Sequence, residues 1–391
     1  MNGNQVMLHE ILRNECCVMG KAQAMDETVA RLRRCEAQGD SLGDEARRLL
    51  KTAVEELSNG ENTVLYDDLG IPSVMVRIPA MRCGKLLEDC GKGGFHPAFV
   101  AGERIIREVW VSKYLNCVVD GRAASLPMCT PKRIGTFDEA VAICRAKGDN
   151  WMPMPFQLRM AIALWCRSRG FLPSGNNDHG HDFFHPGEEG VLSGANLTLT
   201  GSGPPEWSHN GRREGIWDLN GNLNEWDVGF RLMDGEIQLI GMEELLMPGG
   251  DLSSESSLWR GLGTEGKLVP AGSADALHYA VPEGGIQLSQ KAGQNGIGNC
   301  AFRDIRAQRG LKIPDTARLL GLFPPDCAKA EASGWRWVNT EGEMMPLCGG
   351  AYGVLDHAGI FFAGMTKPRK EDYKFAGVRC VYVEPQAIEE G

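Results

Sequence analysis

Three histidines and two aspartates crowd one short stretch of this 391-residue chain, NNDHGHDFFHPGEE from Asn176 to Glu189. Imidazole nitrogens and carboxylate oxygens at that density are ligands for zinc, nickel or iron, with His179, His181, His185, Asp178 and Asp182 as the candidates. The H-x-H-x₃-H order matches no established metal motif, so a solvated polar loop is the expected reading. Cysteine is the other residue type that could do such chemistry. The count is thirteen, an odd number, with no C-x-x-C pair and with Cys16 and Cys17 adjacent. A disulfide framework, a zinc ribbon or a redox dithiol therefore has no basis, and free, mostly buried thiols are expected.

A different pattern fills the C-terminal segment. GWRW at Gly334 to Trp337 leads into LCGGAYGVLDHAGIFFAGMTKPRKEDYKFAGVRC, which ends at Cys380. Gly349-Gly350, Ala358-Gly359, Phe361, Arg369 and Gly377-Val378-Arg379 alternate with positions that follow no periodic rule. Glycine pairs permit backbone geometries closed to other residues, and an aromatic such as Phe361 is a natural core anchor. Such positions fix a shape while the residues between them vary, which is how a binding surface is built. The plainer alternative is a buried terminal hairpin with ordinary loops.

The spacing resembles the variable region of diversity-generating-retroelement variable proteins, whose C-type-lectin-like fold is shared with formylglycine-generating (sulfatase-modifying) enzymes. Upstream, GIWDLNGNLNEWDVGFRLMDGEIQLI from Gly215 to Ile240 resembles the family's G-[IVL]-[YW]-D-[LM]-x-G-N-[VL]-x-E-W element and its phage-encoded continuation. PSVMVRIPAM from Pro72, REVWVSKYLN from Arg107 and TFDEAVAICRAKGDNWMPMPFQLRMAIALWC from Thr136 resemble its opening strand, second strand and helix pair.

The resemblance implies an α+β, C-type-lectin-like domain over 71–391 after an N-terminal helical segment, 1–70, used for packing or assembly. It implies a non-enzymatic, phage- or prophage-encoded protein that recognises a macromolecule on a bacterial surface, made in a bacterial cytoplasm and assembled as a homo-oligomer or into a virion. The variable region would be about 335–380. Its contact residues would be Ala351, Tyr352, Gly353, Val354, Asp356, His357, Gly364, Thr366, Lys367, Lys370, Asp372 and Tyr373, with Trp335 and Trp337 as neighbours. Aromatic and small polar residues suit that work, because rings bring contact area with little entropy to lose.

The enzyme branch of the same superfamily implies two alternatives to weigh. Its oxidoreductase chemistry needs a copper-binding cysteine pair just after the double glycine, where this chain has Ala351 to His357 and no thiol; Cys348 precedes the glycines and Cys380 lies beyond. That reading, and a structural particle component, stand as runners-up, and no cofactor is required by the main one. The enzyme branch also wraps a Ca²⁺ ion at the G-N-x-x-E-W element, which here would use Asp218 and Glu225. Carboxylates suit a hard cation, and Asn220-Gly221-Asn222 allows a tight turn, although both carboxylates could instead hold backbone amides. Glu384-Pro-Gln looks like a sugar-binding lectin tripeptide but falls outside the loops of this fold.

The elements that must position these residues follow from periodicity. Ala46, Leu49, Leu50, Ala53, Val54 and Leu57 fall on one helical face after Ser41-Leu-Gly-Asp44, a capping box, and before Asn59-Gly60, a stop. A helical stretch from about Val6 to Cys35 breaks at Gly20, which predicts a helical hairpin packed on the main domain. Thr136 caps a helix whose face carries Phe137, Val141 and Cys144, and a second helix spans 155–169. Long irregular stretches, 173–210 and 242–298, are expected as loops that display the site. A net charge of −10 leaves no electrostatic footprint for nucleic acid or an anionic membrane. No apolar run is long enough to span a bilayer, and residues 1–13 are too polar for a signal peptide.

Overall fold

The computed structural model describes residues 6–38, 43–90, 93–194, 196–325 and 334–390. The N-terminal segment forms three helices, α1 (Leu8–Val18), α2 (Asp26–Ala37) and α3 (Gly43–Leu57). Gly20, at φ 66°, closes α1 where the break is predicted. On α3 the expected stripe buries Ala46, Leu50, Ala53, Val54 and Leu57, with Leu49 half-buried. Ser41 of the proposed capping box lies outside the described residues.

Helix does not continue to Gly70. After Asn59 and Gly60, both at positive φ, residues Asn62–Tyr66 form strand β1, antiparallel to β2 (Pro72–Pro79). Thr63, Val64 and Tyr66 are β-branched or aromatic, and the run pairs with a buried neighbour, which overrides its nearness to the helices. The helices are also part of the domain's interior. Leu12 and Cys16 of α1, Leu32 of α2 and Leu50 of α3 share one apolar cluster with Val74, Tyr114, Trp207 and Trp217.

At the centre of that cluster lies a buried ion pair. The Glu15 carboxylate, 1 % exposed, faces the Lys113 ammonium and accepts from the Tyr114 hydroxyl at 2.7 Å. Lys113 also donates to Asn62 Oδ1 at 3.0 Å. Burying both charges is costly, and the added hydrogen bonds offset that cost only while the set is complete.

The main body is α+β. β1 and β2 begin a five-stranded antiparallel sheet that continues through Glu108–Ser112 and Cys380–Tyr382 to Trp151–Pro153. α4 (Phe137–Arg145) starts at Thr136, whose side chain accepts from the Glu139 amide at 3.2 Å, as expected. α5 (Phe156–Ser168) is buried on nearly every side.

A larger sheet carries the C-terminal segment. At its centre lie β3 (Asn224–Trp226), β4 (Trp335–Asn339), β5 (Glu343–Cys348) and β6 (Ala363–Lys367). β6 runs parallel to β4 and antiparallel to β5, and β5 pairs with β3. The stretch 242–298 is less irregular than expected, since short strands at Arg260–Leu262, Leu268–Pro270, His278–Ala280 and Gln287–Ser289 extend this sheet. Among the described residues no helix is long and apolar enough to cross a membrane.

Replacing Glu15 by Ala strands a buried ammonium, and urea denaturation is expected to show a loss of about 3–5 kcal/mol. Glu45→Ala, at the exposed Arg31–Glu45 pair, is expected to leave the denaturation midpoint nearly unchanged, because solvent screens that pair. Equal effects would mean that the helices dock by apolar contact alone.

Candidate ligand-binding pocket

Arg379, fully buried, joins the two segments singled out in the sequence. It donates to both Glu225 oxygens at 3.0 and 3.1 Å, to the Ser112 carbonyl at 2.8 Å and to the Trp217 carbonyl at 2.7 Å. Glu225 faces a second guanidinium, Arg159 of α5, at 2.8 Å, and Arg159 holds Asp227 at 2.5 and 2.9 Å. Burial alone would raise the Glu225 carboxyl, but Arg159 and Arg379 hold it below the usual carboxylate range. Burial raises the Asp227 carboxyl to about 6 despite Arg159.

The remaining landmarks are equally internal. Phe361 is fully buried and stacks on Phe302 with ring centroids 5.2 Å apart. Arg369 grips Glu343 at 2.7 and 2.9 Å and Asp138 at 2.9 Å, which pins the chain after β6 to α4. Gly349 and Gly350 sit at φ 85° and 86°. A Cβ on Gly350 would lie 2.7 Å from that of Ala358, so the sharp turn after β5 requires glycine there.

Between these landmarks the chain lines a surface pocket of about 380 Å³. β4 alternates: Arg336 and Val338 enter the core, while Trp335 and Trp337 face outward. Trp337, Gly353, Val354, Asp356, His357, Gly364, Thr366, Lys367 and Tyr373, all expected contact residues, line the pocket together. Trp335 stands beside it, its ring 4.0 Å from that of His357. Tyr352 belongs to an adjoining aromatic row, with ring centroids 6.0 Å from Phe375 and 5.7 Å from His179.

Three expected contacts fall elsewhere. Ala351 is buried, 4 % exposed, and does not line the pocket. Lys370 and Asp372 are exposed but do not line the pocket. Sequence reasoning missed Asn224, Leu347, Leu355 and Phe362, which do. Leu347 and Phe362 read as ordinary core residues, and Asn224 comes from the upstream motif, so only that motif's proximity could have flagged it.

The histidine-rich loop supports the pocket wall. The Asp182 carboxylate, 2 % exposed, accepts from the Gly175, Phe184 and His185 amides and the Asn177 side chain at 3.0–3.1 Å. The His179 amide donates to the Tyr352 carbonyl at 2.7 Å, and the Leu355 amide donates to the Asn177 carbonyl at 2.9 Å. The loop is thus internally bonded rather than merely solvated, and its tip exposes Phe183 and Phe184. Among the described residues no three His, Cys, Asp or Glu side chains converge as a metal site.

The carboxylates named for calcium occupy unlike positions. Glu225 is committed to two guanidiniums, a setting that repels a divalent cation. Asp218, at φ 59°, has an Oδ2 atom with no partner among the described residues. Burial raises its carboxyl to about 7, opposed by Arg379 and reinforced by Glu225. The Cys348 thiol is also buried and pushed well up by that burial.

No protein-family model matches the chain, and no curated protein matches it.

Two measurements follow. Native Asp218 holds its proton more tightly than the unfolded chain, whose carboxyl titrates near 4. Its contribution to stability is therefore complete below about pH 4, declines as pH rises toward about 7 and is constant above. Asp218→Asn removes this dependence, so with chelator present the variant should gain on wild type by roughly 1–3 kcal/mol between pH 5 and pH 8. A difference independent of pH would refute the raised carboxyl. Melting curves in excess calcium and in chelator should superimpose, whereas a calcium-dependent rise would return an ion to the loop.

Proposed function

We propose that this is a non-enzymatic ligand-binding protein of the diversity-generating-retroelement variable type, with a C-type-lectin-like fold of the formylglycine-generating kind. On this reading it is phage- or prophage-encoded and recognises a macromolecule on a bacterial surface. The observation that carries the reading is the division of labour in 335–380. Nine positions with no shared period converge on one pocket, while Gly349, Gly350, Phe361, Arg369 and Arg379 between them are fixed by packing or buried ion pairs. A binding surface whose contact residues change without loss of fold needs that separation. The pocket's aromatic and small polar lining matches the composition of adaptable recognition surfaces. The N-terminal helices then form part of the supporting body.

The test pairs stability with binding. Phe361→Ala should cost about 3–5 kcal/mol, as for a buried aromatic. Asp356→Ala and Thr366→Ala should stay within roughly 0.5 kcal/mol of wild type. Those two changes and Trp337→Ala should nonetheless weaken capture of whole bacterial cells, with Trp337→Ala losing about 2 kcal/mol or more. If the pocket variants unfold as readily as Phe361→Ala, or bind cells as wild type does, the reading fails.

A further inference from the structure

A second concavity shares no residue with the pocket beside Trp337. It is an open groove of about 1050 Å³, walled by β2 and the chain after it, by the C-terminal end of α5 and by part of the segment 209–214. Although the whole chain carries a net charge of −10, five basic side chains line this groove against two carboxylates, Glu61 and Glu214. Arg212 meets Glu214 at 2.6 Å, and Arg77 faces Glu108 at 3.7 Å. Arg82, Lys85 and Arg169 form no ion pair among the described residues. The Arg82 and Arg169 guanidiniums instead lie over the rings of Phe95 and Trp165, 4.4 and 5.5 Å from their centroids.

Two polar side chains in the groove have their orientations set by backbone amides. The Ile216 amide donates to His209 Nδ1 at 2.8 Å, and the Arg212 amide donates to Asn210 Oδ1 at 3.0 Å. Burial, reinforced by Arg379, lowers the His209 pKa to about 3, so the ring is neutral and its one proton sits on Nε2. Asn210 likewise turns its amide hydrogens away from the loop. Neither nitrogen has an acceptor among the described residues. His209 is 5 % exposed, yet its Nε2 is not one of the unpartnered side-chain atoms sealed from solvent, so a ligand oxygen reaches it. The His209 ring lies 5.4 Å from that of Trp165, which carries Arg169, so the free donors and an unpaired cation share one end of the groove. Donors and cations together select an anionic oxygen.

The rest of the groove narrows the source of that oxygen. The protein's overall negative charge repels a long polyanion such as a nucleic acid. A short acidic segment feels mainly the charges within a screening length, about 8 Å at physiological salt. Met81, Phe95 and Phe171 also line the groove, and a chain of phosphates alone would leave their apolar surface uncovered. A peptide with carboxylates set among apolar side chains matches both kinds of lining.

We propose that this groove is a docking site for a short acidic segment of a partner polypeptide. Its carboxylates meet Arg169, His209 and Arg82, and its apolar side chains cover Phe95 and Phe171. The site goes beyond the ligand-binding reading above and does not depend on it.

The test selects a random peptide library displayed on phage against the full-length protein, then measures the recovered peptides, synthesised with a fluorescent label, by anisotropy. They should be enriched in Asp and Glu interleaved with apolar residues, and added salt should weaken them. Arg82→Glu and Arg169→Glu change exposed side chains, so melting curves should stay close to wild type while each variant binds about tenfold or more weakly. Exchanging the acidic residues of a recovered peptide for Asn and Gln should abolish its binding. Recovery of no peptide, of peptides without acidic enrichment, or of peptides that bind both charge-reversed variants as wild type would overturn the proposal. Displacement of the peptide by an equal concentration of a single-stranded oligonucleotide would also overturn it, because the groove would then accept any polyanion.

Discussion

The buried pair between Arg379 and Glu225 is the constraint on which the rest of the molecule depends. One guanidinium reaches across both sheets, with Ser112 in the smaller sheet and Glu225 in the larger accepting from it. A charge pair so deep is stable only when every donor and acceptor is met, since desolvating both ions is costly. That condition locks the start of strand Cys380–Tyr382, the upstream Asn-Glu-Trp strand and α5 into one relative placement. Asn224 is the immediate neighbour of Glu225, so the pocket floor is positioned by the same lock.

The lock extends to the N-terminus through shared residues. The Trp217 carbonyl accepts from Arg379, its amide donates to the Lys113 carbonyl at 2.9 Å, and the Lys113 side chain meets Glu15 of α1. The helices therefore sit at one end of a continuous buried polar chain that ends beneath the pocket. Over that base the turns after the double glycine and after β6 are tied down at their ends, by Arg369 among others, and left open in between. Rigid ends with exposed middles would suit the proposed binding role, because preorganisation lowers the entropy cost of binding.

Local features were legible in the sequence, whereas distant pairings were not. The α3 stripe and the Thr136 cap depend on residues within a few positions of one another, and both appear as read. Nine of the residues named from the landmark spacing line one pocket, because they lie between landmarks that packing fixes. Ala351, Lys370 and Asp372 lie beside those residues in sequence but do not line the pocket, because linear nearness does not fix where a side chain faces. β1 was read as helix because its partner strand, not its own sequence context, decides its state. Glu225 reads as a cation ligand from its own motif, while the arginine it meets lies 154 residues away, and no local pattern announces an arginine at that distance. The role of Asn224 was hidden for the same reason.

The central claim is that the pocket lining can change freely while the landmarks cannot. The most direct measurement is a combinatorial library in which Trp337, Val354, Asp356, His357, Thr366 and Lys367 are randomised together, sorted first for protease resistance and then for binding to bacterial cells. A matched library randomises Phe361, Arg369, Arg379 and Glu225. The account predicts that most of the first library stays folded with altered or lost binding, and that the second yields few folded members beyond the wild-type residues. Comparable survival of the two libraries would contradict it.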